Sequence, residues 1–199
     1  MKPTVICHMM TSVDGRLYVG RFTPLAGGKS STEASSPYYE ISANFGADAQ
    51  VIGGRTAREV ALPRRFQCDV ATPVENFSSF IGNRQSKRSL IVLDRAGTIH
   101  YETDTVHGEN LITVLGEGVS QQYLDHLRER GVSYLFAGRD GTDIPKLLST
   151  LGSDFGMAKV LVSSVCCCIP VWTGWPEFRR SSITTASPTR SLPKASPWS

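Results

Sequence analysis

Apolar residues in this chain gather into short runs, and these runs alternate with stretches whose apolar positions recur every three or four residues. Residues 3–10 (Pro-Thr-Val-Ile-Cys-His-Met-Met) are β-branched and apolar and predict a first, largely buried strand. Residues 32–45 carry a helical pattern, with Tyr38, Tyr39, Ile41 and Phe45 on one face and Pro37 leaving the start unfixed. A short strand at 49–52 then delivers Gly53 and Gly54. The unbroken run Ser-Leu-Ile-Val-Leu at 89–93 predicts a buried strand, and 111–115 repeats the arrangement. Ser120 caps a helix that keeps Tyr123, Leu124 and Leu127 inside and closes at Gly131. A strand at 132–137 follows, then a helix capped by Asp143, with Pro145 in its first turn and Leu147, Leu148 and Leu151 facing inward. Lys159 to Val162 begins one more strand. Residues 61–88 contain Pro63, Pro73 and Gly82 without a firm period and predict a long connection with a helical turn or two. Strands and helices alternating at this length predict an α/β fold: a mostly parallel central sheet with helices on both faces.

At Ser163 the pattern stops. Residues 163–199 hold all three tryptophans, three of the five cysteines and five of the eleven prolines, and show neither a strand nor a helix period. The chain therefore divides into a domain at 1–162 and an irregular tail at 163–199. The whole net charge of +3 lies in the tail, where Arg179, Arg180, Arg190 and Lys194 face only Glu177. The body is neutral, so net charge offers no nucleic-acid face. Cys166, Cys167 and Cys168 are consecutive and lack the spacing of paired zinc ligands, so no metal site is expected. No stretch is long and apolar enough to cross a bilayer, and no basic segment leads into an apolar one at the start. A cytoplasmic protein is expected.

The candidate chemistry sits where strands end. Val51-Ile52-Gly53-Gly54-Arg55-Thr56 joins a strand to a helix through two glycines, then offers a guanidinium and a hydroxyl. Such a junction can hold a phosphate, because glycine admits close approach, helix starts present unpaired N–H groups, and arginine grips an anion with two hydrogen bonds. It can equally be a plain turn. Thr11-Ser12-Val13-Asp14-Gly15 is similarly open between a tight turn and polar groups lining a pocket at the end of a central strand. Asp94-Arg95-Ala96-Gly97 forms a third polar strand end, and residues 22–31 read as a loop beside the site.

In succession, these motifs resemble the pyrimidine reductases of riboflavin biosynthesis, including the reductase half of the bacterial bifunctional deaminase-reductases. That family is dihydrofolate-reductase-like. Residues 5–16 are similar to its first strand and Ser-x-Asp-Gly loop, and residues 51–56 to its Gly-Arg-x-Thr element, although here Thr56 follows Arg55 directly. Residues 90–95 are similar to its next cofactor-contacting strand end. The resemblance spans roughly residues 3–162. It implies that Gly53, Gly54, Arg55 and Thr56 hold the 2′-phosphate end of NADPH, and that Asp94 and Arg95 lie near the adenosine. It also implies that Ser12 and Asp14 orient the substrate or the nicotinamide, with Asp14 assisting proton delivery. Where family members continue into Glu-Gly-Gly-Gly, a turn that contacts the pyrophosphate, this chain reads Ser163-Ser164-Val165. On this resemblance the fold is incomplete at its carboxyl end.

The function expected is NADPH-dependent reduction of a small heterocyclic substrate, similar to that of 5-amino-6-(5-phosphoribosylamino)uracil reductase. The alternative is a non-catalytic nucleotide-binding remnant or an unstable truncated product, and a tail-mediated interaction module is a third, weaker reading. The partners expected are a small-molecule substrate, without nucleic acid or membrane; a homodimer is open. A composition break inside a strand is what a shifted reading frame produces. Resequencing the coding DNA around Val162 is expected to reveal a neighbouring frame that encodes Glu-Gly-Gly, and an intact frame with no such alternative would sink the idea.

Overall fold

Parallel pairing governs this molecule, because a strand paired on both sides and covered on both faces has no position left for water. The computed structural model describes residues 1–10, 31–68, 72–163 and 179–180. Its strands are β1 (Thr4–Cys7), β2 (Ala49–Gly53), β3 (Ser89–Leu93), β4 (Thr105–Val106), β5 (Glu109–Leu115), β6 (Ser133–Phe136), β7 (Lys159–Val162) and β8 (Arg179–Arg180). The helices are α1 (Ser31–Asn44), α2 (Gly54–Val60), α3 (Gln121–Glu129) and α4 (Ile144–Ser153). Among the described residues all eight strands form one sheet in the order β4-β5-β3-β2-β7-β1-β8, with β6 also paired to β5, beyond the short β4. Every pair is parallel except the β4–β5 hairpin. The α/β class expected from the sequence is the class observed.

Alternation along the strands divides the core in two. Val51, Ile91, Ile112, Val114, Leu135 and Val160 meet Leu147, Leu148 and Leu151 of α4 on one face. Ile52, Leu90, Val92, Leu111, Leu115 and Tyr134 meet Ala57 of α2 and Tyr123, Leu124 and Leu127 of α3 on the other. Both expected caps are formed: Ser120 Oγ accepts from Tyr123 N at 3.2 Å and Asp143 Oδ1 from Lys146 N at 2.9 Å. Gly131 adopts φ 70° after α3, the left-handed conformation that glycine enters without a Cβ penalty. No helix among the described residues is long and apolar enough to cross a membrane.

Several expectations need correction. β1 is shorter than 3–10 and only Val5 of its four residues is buried, because it lies toward the flank of the sheet. In α1, Tyr39 is 64% exposed while Ser42 is buried, so the more enclosed positions are Tyr38, Ile41 and Ser42, with Phe45 just beyond the helix end. Pro37 lies inside that helix and does not delay its start. The long connection contains no helical turn among its described residues; instead it bridges extended chain, Arg65 to Ile99 and Phe80 to Tyr134. Asn110, buried in β5, holds this connection by accepting from the backbone N–H groups of Gln85 and Ser86, at 2.9 Å each. Finally, β4 and β8 have no counterpart in the sequence reading, since two residues cannot display a period.

One packing contact is sensitive to pH. His126 Nε2 accepts the backbone N–H of Tyr101 at 3.1 Å, which requires that nitrogen to be unprotonated. Its ring stacks on His100 with centroids 4.6 Å apart. Burial, followed by the neighbouring His100 and Arg130, pushes its pKa down to about 4 from an ordinary 6.5. A group whose pKa is lower in the folded chain binds its proton more readily when unfolded. Its contribution to stability is therefore complete above pH 6.5 and declines as the pH falls toward 4. Urea midpoints across that interval are expected to fall more for the wild-type chain than for His126→Gln, which keeps an acceptor and cannot titrate. Equal slopes would refute the assignment.

Candidate functional site

Four strand ends converge on one side of the sheet. β2 passes through Gly53 into α2, β3 into the turn at Asp94–Gly97, β5 into Gly116–Gly118, and β6 into the loop that precedes α4. Between them lies an open cleft of about 600 Å³. It occupies the carboxyl edge of the parallel strands, where α/β sheets bind ligands.

Glycines make this edge possible, though for a different reason from the one the sequence suggests. A Cβ on Gly54 would lie 2.9 Å from the carbonyl oxygen of Leu93, so the missing side chain lets α2 start directly against β3. A Cβ on Gly116 would lie 3.1 Å from the carbonyl oxygens of both Arg95 and Arg139. Gly141, at φ 71°, packs against the stem of Arg95. Contact between protein segments therefore accounts for Gly54, without any approach by a ligand. Gly53 is buried, pairs with Leu93 in the β2–β3 register and precedes α2 with ordinary extended angles.

Asp94 is 4% exposed. Its Oδ2 accepts from Thr98 N at 2.7 Å, Ile99 N at 2.8 Å and the Tyr123 hydroxyl at 2.8 Å, and its Oδ1 accepts from the Thr98 hydroxyl at 2.8 Å. Such a carboxylate is satisfied internally. Burial holds the Tyr123 hydroxyl well above its ordinary pKa, with Tyr101 and then Asp94 adding to the effect. The residue walls the cleft, while its carboxylate closes the turn behind that wall.

Charge on the cleft comes from arginine. Arg55, Arg58, Arg95 and Arg139 line it from α2, the β3 end and the β6 end. Arg55 is largely exposed and pairs with Glu59 at 3.0 Å, one helical turn on. Arg58 is half-buried, and its Nη1 donates to Thr98 Oγ1 at 3.1 Å. The opposing carboxylate is Asp140, held below the ordinary range by hydrogen bonds from the hydroxyl and amide of Thr142. Several guanidinium groups in a concave, partly apolar setting attract anions and can bind phosphate through paired N–H groups.

The structure thus gathers Gly54, Arg55, Asp94 and Arg95 around one cleft, and sets Gly53 behind it. Thr56 is half-buried in α2 and does not line the cleft. Ser12 and Asp14 lie outside the described residues, as do residues 22–30 of the expected loop and the cysteine run. Sequence reasoning missed Arg58, Arg139, Asp140 and Thr142. The last three follow a predicted strand at 132–137, so the strand-end rule that found Arg95 could have found them too. Arg58 required knowing which face of α2 turns toward the cleft.

The other strand ends are tied differently. His8, buried after β1, stacks on Tyr38 of α1 with centroids 4.3 Å apart and meets its carbonyl oxygen through Nε2 at 3.0 Å. The Tyr38 hydroxyl reaches the carbonyl oxygen of Ser163 at 3.4 Å, and burial raises its pKa to about 12.

No family model and no curated protein matches the sequence. Solved structures do resemble its fold. A pyrimidine reductase-like protein from Corynebacterium diphtheriae superposes with a TM-score of 0.55 at 17% identity, over 98% of this chain and 78% of its own. RibD from Acinetobacter baumannii gives 0.52 at 16% identity, over 96% of this chain. The chain spans about half the length of that protein, 48%. At these identities the likeness establishes a shared dihydrofolate-reductase-like α/β architecture.

Gly54→Ala is expected to destabilise the chain by about 1–3 kcal/mol, the usual cost of overpacking, because its Cβ would meet backbone, which cannot rotate away as a side chain can. Urea unfolding measures this, and an unchanged midpoint would show that α2 and β3 can separate freely.

Proposed function

We propose that the chain is an NADPH-dependent reductase of a small heterocyclic substrate, similar to 5-amino-6-(5-phosphoribosylamino)uracil reductase. The observation that carries this reading is the arginine-lined cleft at the carboxyl ends of β2, β3, β5 and β6. Its donor set suits a dinucleotide bearing an extra phosphate, since guanidinium forks match phosphate oxygens and the surrounding glycine-tight loops leave an open floor. The shared fold supports the same reading, as do the sequence motifs.

NADPH, when bound, supplies the hydride. The rest falls to the chain. Arg55, with Arg95 across the cleft, holds the phosphate on the adenosine side, and Thr56 supports the start of α2. Gly53 and Gly54 keep the β2–α2 junction tight so that Arg55 projects from a rigid base. Asp94 contributes as the closed turn beneath the adenosine end, with its carboxylate committed to Thr98, Ile99 and Tyr123. Ser12 and Asp14 orient the substrate or the nicotinamide, and Asp14 delivers a proton where its surroundings raise its pKa. The domain spans residues 1–162 and works in the cytoplasm on a small molecule, alone or as a homodimer.

A second reading is favoured by one feature: after β7 the chain continues Ser163-Ser164-Val165, with no glycine-rich turn to receive a pyrophosphate. On that reading the protein binds nucleotide without turning over. Fluorescence titration with NADPH and NADH, followed by a turnover assay, separates the two. Binding with turnover is expected for the reductase and binding without turnover for the remnant; soluble folded protein that binds neither would defeat both. Arg55→Ala is expected to weaken NADPH several-fold and leave NADH nearly unchanged. Equal losses would remove Arg55 from the 2′-phosphate.

A further inference from the structure

Four arginines line the cleft, and they are not equivalent. Arg55 stands 75% exposed and shares its guanidinium with Glu59, an arrangement that solvent and rotamer freedom weaken. Arg58, one turn further along α2, is half-buried. Among the described residues it meets no carboxylate, and one of its five donors, Nη1, has a protein partner, Thr98 Oγ1.

That partner is itself fixed. Thr98 donates its only hydroxyl proton to Asp94 Oδ1 at 2.8 Å and its backbone N–H to Oδ2 at 2.7 Å. With the proton committed, the hydroxyl can only accept toward Arg58. Asp94 in turn is locked by Ile99 N and the Tyr123 hydroxyl, both at 2.8 Å, and is buried against the α3 side of the core. The chain Arg58–Thr98–Asp94 aims the guanidinium without using a carboxylate to occupy it. Negative charge sits one hydrogen bond behind the hydroxyl and helps offset the cost of holding a cation in a partly buried place, while the other four donors are left to a ligand.

We infer that Arg58 is the principal phosphate-holding side chain of this cleft, and that Thr98 and Asp94 are its positioning residues. The assignment rests on the reading of the cleft as an NADPH site and changes which residue recognises the phosphate there. Arg55 supports from the rim. Asp94, placed near the adenosine by resemblance, acts through Thr98 and Arg58 and makes no contact with the nucleotide through its carboxylate. A guanidinium already held in place loses less freedom when it binds, so its hydrogen bonds convert more fully into affinity.

The test uses the full chain and titrates NADPH and NADH into the wild type, Arg55→Gln, Arg58→Gln, Thr98→Val and Thr98→Ser. Arg58→Gln is expected to raise the NADPH dissociation constant by about tenfold or more, as a lost charge-assisted hydrogen bond does. NADH should lose less, so the preference between the two cofactors collapses. Arg55→Gln should lose less NADPH affinity than Arg58→Gln. Thr98→Val, which keeps the backbone bond to Asp94, is expected to reduce the NADPH preference, and Thr98→Ser to restore it. A merely structural threonine would lower the unfolding midpoint and leave the cofactor ratio intact, so the ratio decides. Should Thr98→Val not fold, the two arginine variants still decide the point, because both side chains project from the surface of α2. A larger loss in Arg55→Gln than in Arg58→Gln would overturn the assignment, as would a cofactor ratio indifferent to Thr98→Val. Wild-type protein that binds neither cofactor would overturn the nucleotide reading, and this assignment with it.

Discussion

The structure depends on strands that are buried on both faces. Ile91, Val92, Ile112 and Val114 are each fully enclosed, yet successive residues serve opposite cores. A sheet built this way has no polar face, so every group that must meet water or a ligand is displaced to the strand ends. The parallel direction of β2, β3, β5 and β6 then puts all the carboxyl ends on one edge. Chemistry collects there because the interior offers it no place.

That edge is crowded, and the crowding shapes its electrostatics. Loops from β3, β5 and β6 approach within backbone contact at Gly54, Gly116 and Gly141, where any side chain would push them apart. Polar groups that face inward at this packing must be satisfied by protein, as Asp94 is by four donors. Groups that face outward remain exposed or half-buried, and here they are mostly arginines. One edge thus separates charge by depth, with a carboxylate beneath and guanidinium groups above. Such an arrangement draws in anions while keeping the Asp94 charge out of their way, although Asp140 also lines the cleft and opposes the arginines.

The likeness to a Corynebacterium reductase-like structure and to RibD speaks to the fold; the case for a site rests on the cleft's own residues. Those residues gather on one part of the sheet. They also divide the molecule. The β2–β3–β5–β6 side carries a built cleft. The β1–β7 side is organised instead around His8, Tyr38 and the carbonyl oxygen of Ser163, next to the point at which the sequence changes character.

Much of this could be read from the sequence. Apolar runs at 89–93 and 111–115, the caps Ser120 and Asp143, and Gly131 after α3 are local signals, and local physics was enough to place them. Gly53-Gly54-Arg55 and Asp94-Arg95 were legible as strand ends for the same reason. What could not be read was what each group meets. The carboxylate of Asp94 looks available in the sequence, but residues four, five and twenty-nine positions away consume it. Gly54 looks like room for a ligand and is room for Leu93. Arg58 carries no strand-end or capping signal in the sequence, yet it lines the cleft and donates to Thr98. The sequence by itself determined where the longer strands and helices form and which polar residues end them, because periodicity and capping act over a few neighbours. Only the tertiary structure decided which of those residues face the cleft and which face one another, because that depends on strands packed side by side after long gaps in the chain.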